Sequence, residues 1–142
     1  FYCTKYYRLN RDLLLTAAIC HDIGKVRELD AFPVNDYSDE GNLLGHIVMG
    51  SEMIGEKAAD IPGFPSVLLV ELKHCILAHH GELEYGSPKK PALIEAMALN
   101  FADNLDAKME TMKELLDATS SPDWLGFQKV VDLNIRMTKM PE

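Results

Sequence analysis

No apolar run in this chain approaches the roughly 20 residues a helix needs to cross a bilayer. The longest candidates, Leu13 to Cys20 and Val67 to Val70, are interrupted or bounded by charge and read as buried faces. Basic residues are scarce as well. Fourteen Lys and Arg against 22 Asp and Glu leave a net charge of −8, which disfavours a broad basic surface for duplex DNA. A polyanionic substrate stays compatible, because bound metal ions reverse the local sign of a carboxylate-rich site. Cysteine is limited to Cys3, Cys20 and Cys75, with no C-x-x-C pair. The three read as reduced, mostly buried thiols, and the compartment expected is the cytoplasm. There is no initiating Met and no basic segment ahead of an apolar one, so no signal peptide is expected. The sequence reads as an excerpt of a longer protein, with a helix or partner domain expected upstream of Phe1. Internal repeats and low-complexity segments are lacking too.

What is present is enough for one domain. At 142 residues and 47% hydrophobic composition, the chain can bury a real core. Asp12 is placed to cap a helix through Leu13, Leu14, Ala17, Ala18 and Cys20, with Gly24 as its stop. Residues Val26 to Asn42, with Pro33, Asn35-Asp36 and Gly41, read as a loop with room for a short hairpin. Leu43 to Ala59 repeats at helical spacing until Ile61-Pro62-Gly63-Phe64-Pro65 breaks it. Ser66 can cap a helix that ends at His79-His80-Gly81, and a loop with Gly86 and Pro88 follows from Glu82 to Lys90. Pro91 suits the first turn of a long helix to about Asp117, ended by Ser120-Ser121-Pro122. Gly126 to Met140 takes no firm assignment. The expected architecture is an all-α helical bundle.

On that bundle lies a set of metal-binding residue types. His21-Asp22 closes one helix, His46 opens another, His79-His80 end a third, and Asp103 lies along the fourth. Neutral imidazoles and carboxylates converging from several elements are what a divalent-metal hydrolase needs, and helical bundles build such sites from facing helices. Asp103 has Leu99, Phe101, Ala102 and Leu105 around it, and a carboxylate in apolar surroundings wants a cation. His74, five residues before His79, falls about 140° away around the helix and reads as structural. Cys20 adjoins His21, but neighbours on a helix diverge by about 100°, so a Cys-His nucleophile is not expected.

These residues resemble the HD-domain phosphohydrolase superfamily, whose pattern is His, then His-Asp, then Asp, with extra histidines in two-metal members. His21-Asp22 matches the doublet, Asp103 the final carboxylate, and His46, His79 and His80 the extra positions. The segments His21-Asp-Ile-Gly-Lys25, Asp39-Glu-Gly-Asn-Leu-Leu-Gly-His46, His79-His-Gly-Glu-Leu-Glu-Tyr-Gly-Ser-Pro88 and Ala102-Asp-Asn-Leu-Asp-Ala-Lys108 are similar to the YhaM-type 3′→5′ exoribonuclease family. The likeness runs from Leu13 to Met109. It implies an HD-like bundle over 1–142 with an oligonucleotide-binding domain and a helix bearing a further ligand histidine upstream. No histidine precedes His21 in this sequence.

The resemblance implies hydrolysis of phosphodiesters in single-stranded RNA, with single-stranded DNA as a further substrate, using two divalent ions with manganese preferred; iron, nickel, zinc or magnesium suit the same donors. Two ions about 3.5–4 Å apart would clamp a phosphate and generate a nucleophile from water. The metal ligands expected are His21, Asp22, His46, His79, His80 and Asp103, with Asp22 and Asp103 shared. Lys25 is placed to neutralise a phosphate oxygen. Glu82, Tyr85 and Lys89, with Lys90 beside them, lie where substrate would arrive, and Tyr85 could stack on a base. Two other functions fit parts of the pattern: a nucleotide or cyclic-nucleotide phosphohydrolase, and a non-catalytic HD-like binding module. No membrane partner is expected, and oligomeric state is left open.

Overall fold

A computed structural model describes residues 1–34, 36–121 and 123–139, apart from the side chain of Tyr2. The turn residue Asn35, the helix-ending Pro122 and the tail residue Met140 lie outside those residues. The elements in chain order are α1 (Tyr2–Lys5), α2 (Arg11–Cys20), α3 (Lys25–Glu28), α4 (Asp39–Ala59), α5 (Ser66–Leu77), a 3-10 turn (Leu83–Tyr85), α6 (Ile94–Asp117), β1 (Trp124–Gln128) and β2 (Leu133–Arg136). The helical bundle expected from the pattern is what forms. No helix of the described residues is long and apolar enough to cross a membrane.

The chain divides into two compact units, 1–103 and 104–142. In the first, α2 presents Leu13, Leu14 and Ala17, together with Leu9, to Leu72 and Cys75 of α5, to Ala78, and to Ala96 and Leu99 of α6. The helix starts differ from the expectations in instructive ways. The cap of α2 is Asn10, whose side chain accepts from Leu13 N–H at 3.1 Å; Asp12 instead sits in the first turn, where its charge suits the helix dipole. Asn10 N–H in turn donates to the buried Glu95 carboxylate of α6. Pro65, not Ser66, is the capping position of α5, with no side-chain bond. The last helix begins at Ile94 rather than at Pro91.

Residues 26–42 are more ordered than a loop. Helix α3 follows the doublet directly, and Leu29 and Tyr37 then close an isolated antiparallel bridge. Ser38 caps α4 by accepting from Gly41 N–H at 3.0 Å, so that helix starts at Asp39, four residues ahead of Leu43. It is not continuous. Gly45 at φ 74° and ψ 155° breaks it, and a second helical segment begins at His46.

In the second unit, the unassigned tail is an antiparallel hairpin with a register irregularity between Trp124 and Gly126. Ile135 is buried, and Arg136 Nε donates to Asp123 Oδ1 at 2.7 Å while its guanidinium lies over Trp124.

Candidate metal centre

Three chain reversals in the first unit bring the site together. Past the end of α2, His21 to Gly24 form a tight turn, with Ile23 N–H bonded to Cys20 O and Lys25 N–H to Asp22 O. Gly24 is not a left-handed stop: its φ is −62°, and it starts α3. Its requirement is contact. A Cβ there would collide with the carbonyl of His46 and lie 2.7 Å from Gly50 N. The missing side chain thus lets the doublet press against the second segment of α4. His46 heads that segment because Gly45 takes the positive φ that ends the first one.

The double histidine lies in the turn beyond α5, which Ala78 closes with its N–H on His74 O at 3.0 Å. Gly81 turns the chain at φ 82°, and a Cβ there would meet Asn100 Nδ2 at 2.6 Å. That amide donates to His79 O at 2.8 Å, tying the turn to α6. His80 N–H donates to the buried Ser87 hydroxyl at 3.1 Å.

The side chains meet around Asp22. Its Oδ1 lies 3.5 Å from His46 Nε2 and 3.9 Å from His79 Nε2. Its Oδ2 lies 3.4 Å from His21 Nε2, which is in turn 3.5 Å from Asp103 Oδ1. The His79 and His80 rings are 4.2 Å apart, and His46 is 5.3 Å from His80. His46, His79 and His80 each offer a ligand atom within 4.8 Å of the others. All six residues expected as ligands therefore stand in one cluster.

Hydrogen bonding sets which nitrogen each ring turns inward. His21 Nδ1 faces Ala18 O at 2.8 Å, His79 Nδ1 faces Ile76 O at 2.6 Å, and His80 Nδ1 faces Tyr85 O at 2.7 Å. A carbonyl only accepts, so each Nδ1 is the donor, and in the neutral ring it is Nε2 that offers a lone pair to the centre. Burial pushes the His79 imidazole down to about 4 against the rise that its bond to Ile76 O brings; at neutral pH it is an uncharged donor. For Asp22, burial alone would raise the pKa. The Lys25 hydrogen bond, the charge of Lys25 and, when they are protonated, the charges of His21 and His46 overcome that and hold it below the usual value. Asp22 Oδ1, His46 Nε2 and His79 Nε2 are buried and have no hydrogen-bond partner. Buried polar atoms are rarely left so. Two imidazole lone pairs and a carboxylate oxygen facing one another repel unless a cation stands among them, so the donors fit a divalent metal.

The other expected residues are placed less uniformly. Lys25 Nζ donates to Asp22 Oδ2 at 2.7 Å, so at the rim of the site it already pairs with a carboxylate. Glu82 pairs with Lys90 at 2.6 Å. Tyr85 reaches the centre through its backbone carbonyl, and its ring is exposed; Lys89 is exposed. Asp103 does not sit in an apolar pocket: Phe101 and Leu105 are about 60% exposed and Asp103 is half-buried. Its partner is His21, not an apolar wall. His74 Nε2 accepts from Ala92 N–H at 2.9 Å, away from the cluster. Burial raises the pKa of the Cys20 thiol and pushes Cys75 up to about 12, so neither favours a thiolate. Sequence reasoning missed Glu28, Asn100 and Ser87. Glu28 is buried, and its Oε1 lies 2.8 Å from His46 N and 3.0 Å from His46 Nδ1.

A helical bundle whose turns and last helix gather four imidazoles and two carboxylates defines a class of metal-binding hydrolase-type domain. Comparison with known proteins makes the class specific. The family described as HD domain matches residues 2–108, and the chain belongs to the HD-domain family, a family of divalent-metal-binding phosphohydrolases. Among curated proteins it is 48% identical over 113 residues to the "3'-5' exoribonuclease YhaM" of Bacillus subtilis, covering 79% of this chain and 35% of that protein. It is 47% identical over 113 residues to the protein of the same name from Bacillus pumilus, with the same coverage. A third, from Geobacillus, is 47% identical over 114 residues, 79% of this chain and 34% of the relative. The chain thus spans about a third of the length of these relatives. No solved structure matches it.

Proposed function

We propose that this domain hydrolyses phosphodiester bonds from the 3′ end of single-stranded RNA, using two divalent ions with manganese preferred. The observation that carries the reading is the convergence on Asp22: imidazoles face both its oxygens, and Oδ1, His46 Nε2 and His79 Nε2 are buried without a hydrogen-bond partner. The relatives named as 3'-5' exoribonucleases supply the direction and the substrate class.

In this reading His46, His79 and His80 would hold one ion together with Asp22, and His21 and Asp103 would hold the other, with Asp22 shared. Bound there, the metal would supply Lewis acidity toward a phosphate and a water activated at neutral pH. The chain's own contribution is preorganisation: backbone carbonyls hold three of the imidazoles in one tautomer, and burial keeps His79 uncharged. Lys25 is the cation at the rim that meets a phosphate oxygen as charge develops. Tyr85 offers an exposed ring for stacking on a base, Lys89 meets the backbone, and the Glu82–Lys90 pair shapes the approach. Its free thiols support a cytoplasmic setting.

The test is RNA labelled at its 5′ end, incubated with manganese. A ladder shortening one nucleotide at a time from the 3′ end is expected. Phosphate release from mononucleotides without a ladder would instead favour a nucleotide phosphohydrolase. A metal-loaded protein that does neither would leave a binding module.

A further inference from the structure

Of the four imidazoles in the centre, His46 alone has a carboxylate, not a backbone carbonyl, behind its Nδ1. We infer that Glu28 is a positioning residue for the centre, its carboxylate locking His46 as the Nδ1–H tautomer and aiming Nε2 at Asp22 Oδ1. The inference rests on the metal-centre reading above and adds to it a residue outside the ligand set.

Three observations carry it. The first is that one oxygen serves two bonds. Glu28 Oε1 accepts from His46 backbone N–H at 2.8 Å and lies 3.0 Å from His46 Nδ1. That backbone N–H heads a helical segment newly started after Gly45, where no carbonyl one turn earlier is available to it. The carboxylate supplies the missing acceptor, and the same oxygen then holds the ring of the same residue. Backbone and imidazole are fixed together.

The second is that Glu28 cannot easily move. Its backbone carbonyl takes Ser38 N–H at 2.9 Å and lies 3.2 Å from the Ser38 hydroxyl. A Cβ at Gly41 would collide with that carbonyl and approach Glu28 Cα to 2.9 Å. The first segment of α4 is therefore packed directly on the Glu28 backbone, and the carboxylate is buried behind it. The third is that the far nitrogen of the ring, Nε2, is buried without a partner 3.5 Å from Asp22 Oδ1. An acceptor behind a metal-ligating imidazole fixes its tautomer and orientation and raises its donor strength.

Two variants separate this role from simple structural support. Glu28→Leu fills the space and removes the acceptor; Glu28→Gln keeps an oxygen that can accept both bonds. Long-range proton–nitrogen NMR on the metal-free protein reads the His46 tautomer, and calorimetric titration with manganese reads affinity. The wild type should show His46 as Nδ1–H. The Leu variant should populate Nε2–H and bind manganese roughly 10–100-fold more weakly, while the Gln variant restores the tautomer and most of the affinity. A Leu variant with wild-type tautomer and affinity overturns the inference, as does a Gln variant that behaves like Leu. Should the Leu variant fail to fold, a wild-type His46 found as Nε2–H overturns it alone. A wild-type protein that takes up no manganese refutes the metal reading, and the tautomer comparison still decides the role of Glu28.

Discussion

The two oxygens of Asp22 face different surroundings. On the Oδ1 side stand His46 and His79, with side chains 14% and 0% exposed, and their inward nitrogens have no partner. On the Oδ2 side stand His21 and Asp103, 23% and 29% exposed, and the ammonium of Lys25 is already in contact. One side is a buried set of lone pairs; the other is more exposed and partly neutralised by Lys25. Burial acts on one edge of this carboxylate and Lys25 on the other. If two ions bind as proposed, the imidazole side should hold its ion more tightly than the His21 side.

Replacing the shared group should have the largest effect. Asp22→Asn is expected to lose both ions and reduce turnover to background, measured by metal analysis and RNA degradation. If that variant kept two ions, Asp22 would not be the shared carboxylate. Asp103→Ala attacks the Oδ2 side alone. Metal-dependent turnover should vanish while circular dichroism stays helical and one ion is retained by the imidazole side. Full stoichiometry with normal activity would remove Asp103 from the ligand set.

Acid should separate the sides more gradually. Burial lowers His79 from its ordinary 6.5 to about 4, so between those values the unfolded chain carries a proton that the folded one excludes. Stability of the metal-free protein should therefore fall as pH drops through that window, by at most about 3 kcal/mol, and level off below it. Asp22, whose pKa is lowered, adds its own loss at more acidic pH as it protonates. Denaturant melts from pH 7 to 4 measure the effect. A flat profile would mean that His79 is not held neutral by burial.

The smallest effect is expected at Lys25. Lys25→Met frees Asp22 Oδ2, so manganese should bind as well as before or a few-fold better, while turnover falls about tenfold to a hundredfold if the ammonium meets phosphate. Weaker metal binding in that variant would make Lys25 a support for Asp22 and not a substrate contact.

Much of this was legible along the chain. His21-Asp22, His46, His79-His80 and Asp103 stand out because metal ligands are few residue types, and turn signals such as Gly81 place the histidines and Asp22 near helix ends, with Asp103 midway along α6. Glu28 was not legible. Its part depends on the Gly45 break, which returns His46 to the end of α3, and helical periodicity runs straight through that break. Asp103 misled for a related reason: apolar neighbours on a helix do not say whether another element covers them, and here Phe101 and Leu105 face solvent. The C-terminal hairpin escaped because its strands are four and five residues long and one carries a register irregularity.

By itself the sequence determined the helical class, the absence of a membrane-spanning helix and the chemical types in the centre, since these follow from local periodicity and side-chain chemistry. Tertiary structure alone decided which nitrogen each histidine turns inward, that Asp22 is divided between two environments, and that a buried glutamate stands behind His46. Those are matters of distance and acceptor geometry between residues far apart in the chain. They arise where Gly24 lets two backbones meet, where Gly45 takes a positive φ, and where Gly81 turns the chain against the Asn100 side chain.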